Sequence, residues 1–422
     1  RPGRLRAIVE VLEGAPVVGA ADIDRLVPSD LFSSASRSTG RARAGGKADL
    51  GEIRDALLRG HFEDAAELLA TRDDERTLEL AVMRARLYTN QGEWKRAQDE
   101  LFERDLEGAT PEVALEYFVE LARANLRSGD YAACVKAAEM ADGRADRAGG
   151  KRAEAAHAEA LAIGGMALSF LGEVERAQAF HARSIDGARR LGEDRALSVA
   201  LSSAAFSLQR QGRLDESRPL YEEALENAER AGDAGTVANT RLNLSGIAKA
   251  QGDLARALTH LEAAVDMGRR SGRRTTVRHA LLNLANLDLY LGRLAKAQVS
   301  IDQLAAERGE LPPSMASQLL SLESEAAFKS GDLVRAEALC IACARAYEAA
   351  GRRVDAAEAQ LESIYVRLAR APSSDGTAEV TELRRRLALV EPALSDVSAH
   401  RAALELARGR VAALAGDAGA AR

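Results

Sequence analysis

A six-residue phrase that recurs along the chain constrains the fold more than any other feature of this sequence. The phrase consists of a glycine, a polar residue, a bulky apolar residue, two variable residues and a small residue. An example is Gly172-Glu173-Val174-Glu175-Arg176-Ala177. It begins at Gly60, Gly92, Gly129, Gly172, Gly212, Gly252, Gly292, Gly331 and Gly416. From Gly172 to Gly331 these glycines are 39 or 40 residues apart. So regular a period predicts an array of one repeated structural unit.

A second set of glycines divides each unit into two halves. Each stands 20 residues after a glycine of the first set: Gly149, Gly192, Gly232, Gly272 and Gly351. Within a half, apolar residues recur three or four apart, as at Leu281, Leu284 and Leu287, which indicates a helix. A glycine in the left-handed conformation commonly closes a helix. We therefore predict helix-turn-helix-turn units with helices of about 16 residues, and one missing turn near residue 373.

Composition and charge exclude several other classes of protein. Aromatic residues make up 4% of the chain, which disfavours an aromatic-rich β-sandwich. The net charge of −6 comes from mixed acidic and basic residues, so we expect no nucleic-acid or membrane binding. Three cysteines cannot form a disulfide framework and no signal segment opens the sequence, so we expect a cytoplasmic protein.

The residues from Gly212 to Leu225 resemble the second helix of a tetratricopeptide repeat (TPR), in the long-helix variety of kinesin light chains and many bacterial regulators. The resemblance covers about residues 50–422 and implies an all-α, right-handed α-solenoid with a period near 40. A small residue follows five after the turn glycine, where the two helices of a hairpin would touch: Ala65, Ala97, Ala177, Ala257, Ala297 and Ala336. Cys134 and Ser217 replace it in two units, and the period exceeds the usual 34. HEAT and armadillo arrays remain a minor alternative.

The first fifty residues do not share the repeat. Residues 1–28 resemble the end of the ATPase lid of bacterial AAA+ transcriptional activators, which implies a nucleotide-sensing role for Arg6; the alternative is an ordinary helix with Arg6 in solvent. Residues 29–49 are rich in Ser, Gly, Arg and Ala, which predicts a flexible linker. We expect the chain to be part of a longer protein, with an incomplete last unit.

No pattern for catalysis, cofactor or metal binding emerges. Gly45-Gly46-Lys47 lacks the rest of a phosphate-binding loop. Cys340 and Cys343 have Cys-x-x-Cys spacing but no further ligands, so we interpret them as buried small residues. The six histidines are scattered, and the acidic residues stand beside Lys or Arg, as expected of solvated faces. We expect no cofactor and no enzymatic activity in this chain.

A cluster of arginines surrounds one turn between units, at Arg269, Arg270, Arg273, Arg274 and Arg278. We interpret it as a solvated basic turn with cations at a helix end; the alternative is a site for an acidic or phosphorylated partner.

The remaining candidate is the concave surface, which in TPR proteins is lined by the first helix of each unit. The inward positions implied by the resemblance fall on Phe170, Phe206, Gln209, Arg210, Asn239, Lys249, His279, Asn286, Leu289, Tyr290, Glu325, Phe328 and Lys329. Aromatic anchors mixed with amide and cationic groups are typical of a recognition surface. The alternative for Phe170, Phe206 and Phe328 is packing between helices.

These observations favour a non-catalytic TPR arm that binds a protein, a peptide or another ligand within a larger bacterial signalling or regulatory protein. One alternative is the sensor region of an ATPase-coupled transcriptional regulator or Ser/Thr kinase, with catalysis outside this chain. A second is a free-standing assembly scaffold or co-chaperone. The fold hosts many partners, so the sequence does not name one.

Overall fold

The computed structural model describes residues 47–59, 62–91, 93–370, 376–394 and 398–415. In these ranges the chain consists of α-helices, turns and two short 3-10 helices, Ala145–Arg147 and Arg308–Glu310, with no β-strand. The predicted all-α fold of helical hairpins is therefore confirmed. No described helix is both long enough and apolar enough to cross a membrane.

The helices form two compact units that divide within α13, between Val277 and Arg278. The first unit contains α1 (Leu50–Arg59), α2 (Phe62–Ala70), α3 (Leu78–Gln91), α4 (Trp94–Leu101), α5 (Pro111–Ser128), α6 (Tyr131–Asp142), α7 (Gly150–Phe170), α8 (Val174–Leu191), α9 (Asp194–Arg210), α10 (Leu214–Arg230), α11 (Ala234–Ala250) and α12 (Leu254–Arg270). After α13 (Arg274–Tyr290), the second unit contains α14 (Leu294–Ala306), α15 (Pro313–Lys329), α16 (Leu333–Ala349), α17 (Arg353–Ala369), α18 (Gly376–Leu394) and α19 (Ser398–Leu414).

Helices of the first unit pack in consecutive hairpins. The pairs α5/α6, α7/α8, α9/α10 and α11/α12 each pack along their length. In addition α5 packs beside α7, α7 beside α9, and α9 beside α11. The odd-numbered helices therefore form one layer, and the even-numbered helices pack against it. Within the second unit, α15 packs on α16, α16 on α17, α17 on α18, and α18 on α19.

The Gly-polar pair of the phrase ends one helix and starts the next. Gly252 has φ +79°, a left-handed conformation that disfavours side chains with a Cβ. The N–H of Asp253 donates to the carbonyl of Ala248 at 2.9 Å, which satisfies an orphan carbonyl at the end of α11. The Asp253 carboxylate then accepts from the N–H of Arg256 at 2.9 Å and caps α12. This explains both residue types at these two positions.

The small residue of the phrase lies at a fully buried contact between helices. Its six alanines all have 0% exposure. Ser217, which departs from alanine, is also fully buried and donates its hydroxyl to the carbonyl of Ala205 at 2.7 Å. A buried hydroxyl with a partner costs little, so the departure is compatible with the same hairpin.

One glycine of the second set does not have the predicted role. Gly149 has φ −115° and is the N-cap of α7, while its neighbour Gly150 has φ +83°. The reason is local: α6 ends at Asp142, and a 3-10 turn intervenes before α7. Gly149 therefore does not close a helix. The predicted turn near residue 373, the turn glycines Gly60, Gly92 and Gly416, and residues 1–46 with Arg6 lie outside the described residues.

Candidate binding surface

Three predicted groove residues of the first unit lie together in one aromatic cluster. Phe170 stacks on Tyr131, with ring centroids 4.3 Å apart and an interplanar angle of 1°. The Arg210 guanidinium lies 4.1 Å from the centroid of Phe170, and Phe206 lies 5.8 Å from it. Phe206 is only 3% exposed and belongs to the hydrophobic core. These rings hold helices together, and Phe206 presents almost no surface to a ligand.

The amide residues predicted for the same groove are also occupied by contacts between helices. Asn239 is buried and its side-chain oxygen accepts from the Thr276 hydroxyl at 2.6 Å. Gln209 is buried and accepts from the Tyr221 hydroxyl at 3.2 Å. Lys249 is half-buried. Lys249 therefore presents more surface than Asn239 or Gln209 does.

In the second unit, the predicted residues of α13 vary widely in exposure. Tyr290 is 44% exposed, while His279 and Asn286 are half-buried. Leu289 is fully buried. Tyr290 is therefore the predicted aromatic side chain with the most surface available to a partner.

The predicted residues of α15 lie near its end. Phe328 is half-buried and packs against two clusters of the core. Glu325 is buried, and its carboxylate lies 3.7 Å from the Lys329 amino group. The groove assignment of the residues in the second unit remains a prediction.

The two cysteines at Cys-x-x-Cys spacing are buried, as predicted. Cys340 and Cys343 lie in α16, and the Cys340 sulfur is 2.9 Å from the Ser324 hydroxyl. Across the described parts of the chain, no group of His, Cys, Asp or Glu side chains could hold a metal ion.

The basic turn does not present all its arginines to solvent. Arg270 pairs with Asp266 at 2.9 Å in α12. Arg278, in the second unit, pairs with Glu307 at 2.7 Å and with Glu310 at 2.9 Å. Arg273 is only 5% exposed. The interpretation as a solvated turn is therefore wrong for Arg273, which the helices around it bury.

The first unit has a cavity of about 160 Å³ that none of the predicted residues lines. Its walls come from the odd-numbered helices of five successive hairpins, α1, α3, α5, α7 and α9. The lining residues are Leu57, Arg86, Arg123, Ala155, Ala158, Glu159, Glu193, Arg195, Ala196, Val199 and Ala200. Residues of five successive odd-numbered helices thus border one space. We call the side of the odd-numbered layer that these residues form the inner face of the first unit.

A network of ion pairs forms the charged wall of the cavity. The Arg86 Nε donates to Glu120 Oε1 at 2.6 Å. Arg123 donates through Nη1 to both oxygens of Glu120, each at 2.6 Å, and through Nη2 to Glu159. Glu120 is fully buried and Arg123 is 3% exposed. The network thus joins α3, α5 and α7 through buried groups that satisfy one another, as buried charges require.

At the rim of the cavity the charged groups are more accessible. The Arg195 side chain is 37% exposed, and its Nε lies 3.3 Å from the Asp233 carboxylate. Glu193 is exposed and is the N-cap residue of α9, although its side chain makes no capping hydrogen bond. Arg195 therefore presents more surface at the rim than Arg86 and Arg123 do inside the cavity.

The pKa values of the network favour its charged form. Burial alone would lower the pKa of Arg86, but the facing carboxylates, chiefly Glu120 and Glu159, raise it above its usual value. Burial alone would raise the pKa of Glu159, but the charges of Arg123, Arg86 and Arg195 hold it below its usual range. Both groups are therefore ionised at neutral pH.

A repeat signal in the sequence could have revealed these residues. Arg86 and Arg123 each stand six residues before a turn glycine of the phrase. Glu79, Glu116 and Glu159 each stand thirteen before one. Equal offsets in successive units place residues on the same helix face, so this charged face follows directly from the repeat.

Comparison with known families agrees with this architecture. The tetratricopeptide repeat model matches residues 196–270, which span nearly all of α9 to α12. This part of the chain has tetratricopeptide repeats. The search of curated proteins found no match to this chain.

Several solved structures superpose on this chain. A Rap protein complexed with Competence and Sporulation Factor superposes with a TM-score of 0.55 at 15% identity, over 86% of this chain and 98% of that one. NprR in complex with its cognate peptide NprX gives 0.46 at 16% identity, over 65% and 83%. BtubC (BKLC) from P. vanneervenii gives 0.46 at 21% identity, over 56% and 92%. At 15% identity the likeness to the Rap protein concerns the fold alone.

Proposed function

We propose that this chain is a non-catalytic region that binds a peptide or an extended protein segment on the inner face of the first unit. The main support for this proposal is the cavity that residues of five successive odd-numbered helices line. A peptide side chain that enters this space lies beside several hairpins at once, so residues from more than one hairpin can contribute to its recognition.

We further propose that binding serves regulation within a larger bacterial cytoplasmic protein. Support comes from the Rap protein of similar fold, whose structure contains Competence and Sporulation Factor. Catalysis, where the larger protein has any, would then lie outside these residues. The predicted groove residues Lys249, Asn286 and Tyr290 are candidates for further contacts.

A display selection with positioned crosslinkers tests this function. Random nine-residue peptides are selected on the purified chain, and synthetic copies are labelled with fluorescein. A photo-crosslinking amino acid replaces either Glu193, at the cavity rim, or Arg189 on α8, which is exposed and pairs with Glu223 of α10. We expect selected peptides to crosslink from position 193 and not from position 189. Failure to select any peptide, or crosslinking from position 189 alone, would contradict the proposal.

A further inference from the structure

Three planar side chains from successive hairpins of the first unit stack on one another in a column. The Phe170 ring, at the end of α7, lies parallel to the Tyr131 ring at the start of α6, with 4.3 Å between the centroids. The Arg210 guanidinium, at the end of α9, lies over Phe170, 4.1 Å from its centroid. One face of a ring cannot hold two groups at stacking distance. Arg210 therefore covers the face of Phe170 opposite Tyr131 and ends the column.

The guanidinium of Arg210 is not committed to a carboxylate. Among the residues that the structure describes, it forms neither an ion pair nor a hydrogen bond, and its buried Nε–H has no acceptor. Arg86 and Arg123, in contrast, both pair with Glu120. A guanidinium is planar and can stack through its faces. Phe170 occupies only one face of Arg210.

The repeat register shows where the column would continue. Phe170 and Arg210 each stand two residues before the turn glycine of their hairpin. The equivalent residue of the next hairpin is Ala250, at the end of α11, which packs beside α9. Ala250 is exposed, and its methyl group has no plane to stack. The chain therefore does not fill the next place in the column, over the outer face of Arg210.

We infer that this place is a subsite for one aromatic side chain of the bound peptide, stacked on the outer face of Arg210. This inference rests on the proposed function. A cation over an aromatic face is attracted by the quadrupole of the ring, most strongly for tryptophan, and an aliphatic side chain lacks that attraction. A carboxylate bonds to the N–H edge in the plane of a guanidinium, whereas this place lies over its face.

Peptide binding tests the subsite. Unlabelled copies of the selected nine-residue peptides compete with the fluorescein-labelled ones, and anisotropy gives their dissociation constants. Each aromatic residue of a peptide is changed in turn to leucine, which is apolar but has no ring. The protein variants are Arg210→Met and the control Arg190→Met, which removes an exposed arginine of α8 that also has no ion pair among the described residues. Circular dichroism verifies that both variants fold.

We expect one change from an aromatic residue to leucine to weaken binding to the wild type about tenfold. The same change should cost less than about threefold in Arg210→Met, because the stacking partner is gone, whereas Arg190→Met should behave as wild type. Peptides that bind tightly without an aromatic residue, or through one not coupled to Arg210, overturn the subsite and leave the proposed function standing. Selection of no peptide overturns both.

A variant that fills the place from within the chain tests the subsite without a ligand. The indole of Ala250→Trp should stack on Arg210 and raise the melting temperature by about 2–4 °C. This rise should disappear when Arg210→Met is added. Ala182→Trp, at an exposed position of α8, is the control, and its effect should be the same with and without Arg210→Met. A shift by Ala250→Trp that is equal in both backgrounds overturns the subsite.

Discussion

A buried histidine should make the stability of the first unit depend on pH. His181 of α8 is 5% exposed, and its Nε2 lies 2.7 Å from the Ser207 hydroxyl of α9. On the α7 side, a Cβ built at Gly165 would lie 2.6 Å from the ring, so the two helices leave no room for hydration. Burial lowers the pKa of His181 to about 4, from a usual value of 6.5.

The sign of the effect follows from proton uptake. The unfolded chain binds a proton at this histidine as the pH falls through about 6.5, whereas the folded unit binds it only near 4. The neutral ring therefore contributes stability above pH 6.5 that is lost progressively down to pH 4. The full loss is about 3 kcal/mol, of which about 2 kcal/mol falls between pH 7.5 and 5.0.

The comparison of wild type with His181→Gln isolates this contribution, since glutamine does not titrate and can still reach Ser207. Urea unfolding at pH 7.5 and at pH 5.0, followed by circular dichroism, gives the free energy of unfolding at each pH. We expect this free energy to fall by about 2 kcal/mol less in the variant than in the wild type between the two pH values. His157→Gln is the matched control, because His157 is a half-buried histidine of the neighbouring α7, paired with Asp142 at 2.7 Å. The His157→Gln variant should lose as much stability on acidification as the wild type does, because its His181 is unchanged. Equal losses in wild type and His181→Gln would refute the reasoning.

Two further predictions concern packing and buried charge. Gly165→Ala should destabilise the first unit by about 1–3 kcal/mol in urea unfolding, since the new methyl overlaps the His181 ring. Gly187→Ala in α8, where the nearest atom would be 3.7 Å away, should instead stabilise it by up to about 1 kcal/mol, and a loss there would contradict the argument. Glu120→Ala should cost about 3 kcal/mol or more, because it leaves Arg86 and Arg123 without their shared carboxylate. Glu216→Ala, which breaks the exposed pair with Arg213, should change the unfolding midpoint little, and equal effects would count against a stabilising network.

The sequence was sufficient to predict the hairpins because their determinants are local. A glycine such as Gly252, a capping Asp253 and a small residue such as Ala257 fix each turn within six residues. Gly149 does not close a helix as predicted, because α6 is shorter than the helices around it and a longer turn follows it. The length of such a turn depends on how the neighbouring helices pack.

The candidate surface was harder to predict because burial depends on neighbouring units. The repeat offset shows that Phe206 and Asn239 are on first helices, but not how deeply the next hairpin covers them. Phe206 lies in the same core cluster as Leu244 and Ile247 of α11, and Asn239 bonds to Thr276 of α13. These contacts join residues more than 35 positions apart, and no local pattern encodes them.

The repeat register links the predicted residues to the charged face. Phe206 and Asn286 stand six before their turn glycines, the offset of Arg86 and Arg123. Asn239 stands thirteen before its glycine, as Glu159 does. Within the first unit the offset of six therefore holds arginine in α3 and α5 but the buried Met166 in α7 and the buried Phe206 in α9. Within the first unit the offset of thirteen holds Glu79, Glu116 and Glu159, whereas in α11 it holds Asn239, which is buried and bonds to Thr276. The repeat register thus decides on which face of its helix a residue stands, while the hairpins packed against that helix decide whether the position carries a charge or is buried.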